Sequence, residues 1–194
     1  QLYQGIRFFD LRLKVASKST LFLTRNSMTT PYIFADVQEE FIRFLQEHTT
    51  EILALRLKEE VEPSQKWEMQ EVLLKNMEGF EKFYCGQFSV GECRGKMFVF
   101  HEYPSLVPSS QPFLDVYWTQ STSQADVMER FHNTSKRNMT VPRYHITYAS
   151  WTSKEICDYK NFSEEINSQL HFFILRHEPS FVGIVVLDFS TAEV

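Results

Sequence analysis

The sequence has little of what several common function classes require. Its 20 Lys and Arg residues are outnumbered by 25 Asp and Glu, and the net charge of -5 argues against a nucleic-acid partner, which would demand a basic surface. No apolar run approaches the roughly 20 residues that cross a bilayer. A glycine-rich phosphate loop, a His/Glu metal cluster and a nucleophilic-serine motif are all missing, so we predict no metal and no cofactor.

Cysteine is also scarce, with three residues in the chain. Cys85, Cys93 and Cys157 show neither a zinc-ligand spacing nor a C-x-x-C pair. Cys85 and Cys93 flank a short glycine-containing turn. They could form a disulfide or remain two free thiols, and the sequence favours neither alternative. In the first case Cys157 is free or paired with something outside this segment.

Three glycosylation sequons, at Asn133, Asn138 and Asn161, favour a secreted or lumenal glycoprotein. Two of them lie in a polar stretch that we expect to be a surface loop. The chain begins at Gln1 and enters a strand within about five residues, so we expect it to be part of a longer protein.

A core of good size is expected, because 43% of the 194 residues are hydrophobic and 18 are Phe. We therefore predict one domain over residues 1–194. Alternating or β-rich segments predict strands at 5–15, 20–25, 51–59, 96–102, 143–150 and 181–189. Helices between them give an α/β order, which favours a parallel sheet.

Three helices are predicted from apolar periodicity. The first covers 34–48 and ends with His48, and the second follows Pro63 and Ser64 and stops at Gly79. The third begins at Ser163 as N-cap, ends before Pro179, and buries Ile166, Leu170, Phe173 and Ile174. Residues 104–142, rich in Pro and Ser, are predicted to be a long excursion over one end of the fold.

Charged residues alternate with apolar ones in the first predicted strand. Phe9, Leu11 and Leu13 share one face, and Asp10 and Arg12 share the other. Charges rarely face a core unless they are paired or used, so the second face is expected to line a polar cavity. The alternative is a self-satisfied structural ion network.

The other strands repeat this pattern, which suggests a barrel whose inner face is charged. In a parallel barrel, six side chains would converge near the carboxyl-end mouth, where barrel enzymes place their chemistry: Asp10, Arg12, Arg25, Lys58, Glu60 and Asp188. Such a set suits an anionic ligand such as a phosphate ester.

Four segments in order resemble the X domain of phosphatidylinositol-specific phospholipase C, especially its bacterial, metal-independent branch. They are Gln1-Leu-Tyr-Gln-Gly-Ile-Arg-Phe-Phe-Asp-Leu-Arg12, Phe44-Leu-Gln-Glu-His48 with the following strand through Glu60, Arg94-Gly-Lys-Met-Phe-Val-Phe100, and Val182-Gly-Ile-Val-Val-Leu-Asp188. The resemblance implies a distorted or incomplete TIM-type (β/α) barrel that lacks its N-terminal strand and segment here. It also implies a phosphatidylinositol or inositol-phosphate partner at a membrane surface.

The resemblance also implies roles for these residues. Arg12 resembles the Arg that stabilises charge on the phosphoryl oxygens, Asp10 its carboxylate neighbour, and Asp188 the carboxylate that orients the catalytic base. Lys58 resembles an inositol-contacting Lys, and Glu60 and Arg25 are assigned to substrate binding. Arg12 stands where calcium-dependent relatives need metal-supporting groups, which implies no calcium requirement.

Two departures from the family pattern affect catalysis. The base His belongs to a Thr-His-Asp segment upstream of the first matched strand, and the acid His is replaced at Arg25. We therefore predict a phospholipase C-like phosphoric diester hydrolase domain that is impaired. The alternative is an inactive pseudoenzyme that binds inositol phosphates or acts as a scaffold. A glycerophosphodiester phosphodiesterase would want a His-Arg-Gly segment and metal-binding carboxylates, and neither arrangement is found.

Overall fold

The computed structural model describes residues 1–25, 28–60, 66–86, 90–101, 114–117, 124–135, 144–149, 159–177 and 183–188. Within it the chain divides into two compact units, Gln1–Gln111 and Pro112–Val194. Each has its own sheet and its own helices, and they are described in turn.

The first unit is built on a five-stranded sheet in the order β3-β2-β1-β4-β5. Its strands are β1 (Phe8–Val15), β2 (Leu21–Arg25), β3 (Met28–Ile33), β4 (Ile52–Glu59) and β5 (Lys96–Phe100). β1, β4 and β5 are parallel, whereas β2 is antiparallel to both of its neighbours. The sheet is therefore mixed.

The expectation of a parallel sheet is wrong for β2 and β3. The backbone N–H groups of Ala16 and Ser17 donate to the Thr20 carbonyl, at 2.9 and 3.4 Å, and close a hairpin between β1 and β2. A parallel connection needs a crossover of roughly a dozen residues or more, and the sequence between these strands is too short for one. β3 escaped prediction because Pro31 interrupts it, which an edge strand tolerates.

Two helices cover one face of this sheet and form the core with it. They are α1 (Phe34–Glu47) and α2 (Lys66–Met77). The buried cluster joins both helices to alternate residues of the strands: Leu11, Leu13, Leu21, Phe34, Phe41, Leu45, Leu53, Leu55, Leu57, Met69, Leu73, Met97 and Val99. Each fully buried Leu or Phe contributes roughly 1.5–3 kcal/mol, so this face dominates the stability of the unit.

His48 ends α1, as predicted. Its backbone N–H donates to the Phe44 carbonyl at 2.9 Å, and its ring lies 4.6 Å from the Phe44 ring. Pro63 and Ser64, predicted to begin the second helix, lie outside the described residues.

The second unit contains a three-stranded parallel sheet in the order β6-β7-β8. Its elements are β6 (Leu114–Tyr117), α3 (Gln124–Ser135), β7 (Tyr144–Tyr148), α4 (Tyr159–His177) and β8 (Ile184–Val186). The helices pack on the sheet through a core of Val127, Phe131, Ala149, Ile166 and Leu170.

Three expectations for the second unit are corrected. Ser163 is not an N-cap: it lies one turn inside α4 and is buried, because the helix begins at Tyr159. Ile174 is exposed, although it lies four residues after the buried Leu170, because it falls in the last turn of α4. The predicted excursion at 104–142 contains β6 and α3, whose short lengths gave a weak periodic signal.

The disulfide between Cys85 and Cys93 is present, with 5.4 Å between the two Cα atoms. Cys157 and Asn138 lie outside the described residues. Asn133 is exposed but lies in α3 rather than in the expected loop, and Asn161 is exposed in α4. None of the helices in the described ranges combines the length and apolar character that crossing a bilayer requires.

Candidate functional site

The face of the first sheet opposite the helices carries a row of charged side chains. β1 and β4 pair in parallel with Asp10 level with Arg56 and Arg12 level with Lys58. Because side chains alternate along a strand, these four residues share one face, while Leu11, Leu13, Leu55 and Leu57 enter the core on the other. We call Asp10, Arg12, Lys14, Arg56 and Lys58 the charged face.

Asp10 lies between two guanidinium groups. Its Oδ2 atom accepts from Arg12 Nη2 at 3.1 Å and from Arg56 Nη1 at 3.2 Å. The side chains of Asp10 and Arg56 are only 11% and 14% exposed, whereas that of Arg12 is 33% exposed. The carboxylate therefore fixes two cations in place, and Arg12 keeps access to solvent and to a ligand.

Lys58 stands beside Arg12 on the neighbouring strand and is half-buried. Glu60 follows the end of β4, and its backbone N–H donates to the Leu13 carbonyl at 3.2 Å. The structure thus brings together Asp10, Arg12 and Lys58, with Glu60 one step nearer the carboxyl ends of the strands.

Arg25 is not brought to the charged face. Leu23 pairs with Leu13, and Leu21 and Leu23 pack on the core, so alternation places Arg25 on the core side of the sheet. There its side chain is exposed at the end of β2. Because β2 runs antiparallel to β1, and not parallel as predicted, its last residue has different neighbours.

Two further polar residues of these strands, Arg56 and Thr24, were not selected as site residues from the sequence. Arg56 shares the alternation of Lys58, and that pattern alone was enough to find it. Thr24, between Leu23 and Arg25, is buried. Its short polar side chain gave no signal, since a Thr in a strand is ordinary.

Asp188 lies in the second unit, just after β8. Val185 and Leu187 pack against the helical core, and Asp188 is the second residue after β8 ends at Val186. Asn167 of α4 is buried and donates from Nδ2 to the Asp188 carbonyl at 3.0 Å. This bond ties the end of β8 to the helix.

His101 directly follows β5 and is buried. Among the described residues, no three His, Cys, Asp or Glu side chains form a group that could hold a metal ion. The chemistry available on the charged face is therefore attraction and orientation of an anion by guanidinium and ammonium groups.

No protein-family model matches the sequence, and no curated protein matches it either. Solved structures do. The phosphatidylinositol-specific phospholipase C of Listeria monocytogenes superposes with a TM-score of 0.80 at 16% identity, over 100% of this chain and 77% of that one. That of S. aureus, in a structure concerned with its membrane binding, gives 0.82 at 14% identity, over 97% of this chain and 76% of that one.

These similarities confirm the predicted fold class. The chain is α/β, with the incomplete TIM-type barrel fold of the bacterial phosphatidylinositol-specific phospholipases C. At such low identity the likeness concerns the fold, and function must be argued from the residues of the site.

Proposed function

We propose that residues 1–194 act as one phospholipase C-like domain that binds the phosphorylated headgroup of phosphatidylinositol and hydrolyses its phosphodiester at an impaired rate. One observation carries the proposal: the Asp10 carboxylate holds Arg12 and Arg56 in fixed positions beside Lys58. Guanidinium groups preorganised in this way are suited to a phosphate, because their orientation needs no further ordering on binding.

In this proposal Arg12 contacts the phosphoryl oxygens and stabilises the negative charge that grows on them. Asp10 positions Arg12, and Lys58 and Glu60 contact the inositol hydroxyls. Asp188 orients a catalytic base. Its backbone bond to Asn167 supports that role, because the bond restrains the segment that carries the carboxylate.

Impairment follows from Arg25, at the position that the resemblance gives to the acid His. An Arg keeps its proton at neutral pH and is a very poor proton donor. Loss of a positioned general acid commonly costs about 10²- to 10⁴-fold in rate. The second candidate, an inactive headgroup-binding or scaffold domain, is favoured by the exposed position of Arg25 away from the charged face.

A secreted or lumenal location belongs to the same proposal. A disulfide persists in oxidising compartments, and Cys85–Cys93 is such a bond. Asn133 and Asn161 are exposed, which a glycosylated residue must be.

The turnover experiment uses phosphatidylinositol vesicles and measures released inositol phosphate, with the Listeria enzyme as reference. We expect the wild type and Arg25→Ala to share a rate at least about 10²-fold below the reference. A wild-type rate within tenfold of the reference would refute impairment. Sedimentation with the same vesicles, but not with phosphatidylcholine vesicles, is expected in either case. If turnover is undetectable and sedimentation persists, the second candidate is supported.

A further inference from the structure

α4 has an exposed stripe along one side. Positions spaced alternately by four and three residues lie on one face of a helix. In α4 this spacing joins five exposed side chains: Asn161, Glu165, Ser168, Phe172 and Leu175. We call these residues the α4 stripe. Ile166 and Leu170, on the other side of the helix, are buried in the core of the second unit, so the stripe faces solvent.

The C-terminal half of the α4 stripe is apolar. Phe172 and Leu175 are 61% and 62% exposed, and residues three apart are neighbours on a helix surface. They therefore form a continuous apolar surface, whose contact with water is unfavourable and which association would bury. Ser168, one turn before Phe172, is small and exposed. A large side chain beside a small one lets another helix pack closely against both.

Opposite charges lie towards the two ends of the α4 stripe. Glu165 lies in the N-terminal half of α4, and Arg176 lies in the last turn, where the helix dipole favours a cation. Within the described residues, Arg176 has no carboxylate at ion-pair distance, and the Glu165 carboxylate contacts the Gln169 amide at 3.4 Å rather than a cation. When a second copy of the helix is reversed, its acid comes level with the base of the first. The stripe is thus complementary to a reversed copy of itself.

We propose that the α4 stripe is a homodimer interface, in which two copies of α4 pack antiparallel about a two-fold axis. Such an interface is isologous, so each contact occurs twice. With Phe172 opposite the partner's Ser168, Leu175 lies opposite the partner's Glu165. Arg176 is then displaced by about 1.5 Å along the axis from the level of the partner's Glu165. Its long side chain spans the gap between two helices whose axes are about 8–10 Å apart.

A second copy is the occupant that the charges favour. A lipid surface suits a helix face that is apolar and basic, whereas this stripe also carries an acid, which an anionic surface would repel. The reversed copy meets both charges and places each Phe172 against a small residue. Two large apolar side chains per copy make a small interface, in the class below about 1,200 Å² that forms transient complexes. We therefore expect a dissociation constant on the order of 10–100 µM.

The experiment is sedimentation equilibrium of the full chain at about 5–500 µM in about 0.15 M salt, where the mean mass should rise from one chain towards two. Phe172→Gln should raise the dissociation constant at least about 10-fold, because it removes the central apolar contact twice. Ile174→Gln is the matched control. Ile174 is 40% exposed on the same helix but lies outside the stripe, so this variant should associate as the wild type does. Thermal unfolding checks that each variant is folded.

Charge reversal tests the antiparallel arrangement. Arg176→Glu and Glu165→Arg should each raise the dissociation constant about 5-fold or more, because each places like charges level with one another. The double variant Glu165→Arg/Arg176→Glu should return it to within about 2-fold of the wild type, since both ion pairs form again with their charges exchanged.

Three results would overturn the dimer. They are a chain that stays monomeric at the highest concentration, association that Phe172→Gln leaves unchanged, and a double variant that associates as weakly as the single ones. If the monomeric chain instead sediments with phosphatidylglycerol vesicles and Phe172→Gln does not, the stripe binds a lipid surface. The dimer does not depend on headgroup binding, so its failure leaves the proposed function standing.

Discussion

Replacing Asp10 by alanine would remove the carboxylate that stands between Arg12 and Arg56. Two guanidinium groups, each about 3 Å from the same oxygen, would then face each other without it. If the charged face is organised by Asp10, this substitution destabilises the fold as well as the site.

The magnitude follows from burial. Breaking a buried ion pair by removing one partner costs about 3–5 kcal/mol. The Asp10–Arg56 pair is close to fully buried, since its side chains are 11% and 14% exposed. The Asp10–Arg12 pair is more exposed and adds less than about 1 kcal/mol. A total near 3 kcal/mol is expected, which lowers the melting temperature by roughly 6–12 °C for a chain of this length.

Thermal unfolding followed by circular dichroism measures this loss. Glu40→Ala, which breaks the exposed pair with Arg43, is the matched control and should shift the melting temperature by no more than about 2 °C. The double variant Asp10→Ala/Arg56→Met should recover part of the loss, because the buried guanidinium that Asp10 neutralises is removed as well. An Asp10→Ala melting temperature within about 2 °C of wild type would refute the reasoning.

Two further predictions concern the rest of the first unit. Cys85→Ser/Cys93→Ser opens a short loop and should cost about 2–3 kcal/mol, seen as a melting temperature lower by roughly 5–10 °C; a shift under 1 °C would contradict it. The Arg7 guanidinium, 2.7 Å from Glu51, lowers the pKa of that carboxyl, so the pair stabilises the fold above the ordinary Glu pKa. Glu51→Gln should therefore lower the free energy of unfolding at pH 7 but not at pH 3. If the stability difference between Glu51→Gln and the wild type is the same at both pH values, the pair does not stabilise the fold as proposed.

Much of the charged face was predictable because it depends on local periodicity. Side chains alternate along any strand, so Asp10 and Arg12 had to share a side once Leu11 and Leu13 were assigned to the core. The same rule applied to β4 places Lys58 there and includes Arg56. Bringing the two pairs of side chains together also required that β1 and β4 pair in parallel. The structure confirms this pairing.

The position of Arg25 relative to the other site residues depends on strand pairing as well as on periodicity. A hairpin reverses the strand, so the level and side of its last residue follow from its partners in β1. The short connection after Val15 already indicated the hairpin. Thr24 was not selected, since the burial of its hydroxyl is visible only once its surroundings are known.

Asp188 illustrates a different limit. Alternation with Val185 and Leu187 predicts the side of its carboxylate, and this stays a prediction because β8 ends at Val186. The bond from Asn167 was not predicted, because Asn167 is 21 residues away on α4 and its amide has no periodic signature. Long-range contacts of polar side chains depend on packing that one sequence does not display.

The central claim, that Arg12 on the charged face binds the phosphorylated headgroup, is tested most directly by calorimetric titration with glycerophosphoinositol, the soluble headgroup of the lipid. The dissociation constant of Arg12→Gln should be about 10- to 100-fold higher than that of the wild type, because a charged hydrogen bond to phosphate is lost. The Arg43→Gln control should match the wild type. Equal dissociation constants for Arg12→Gln and the wild type would contradict the claim.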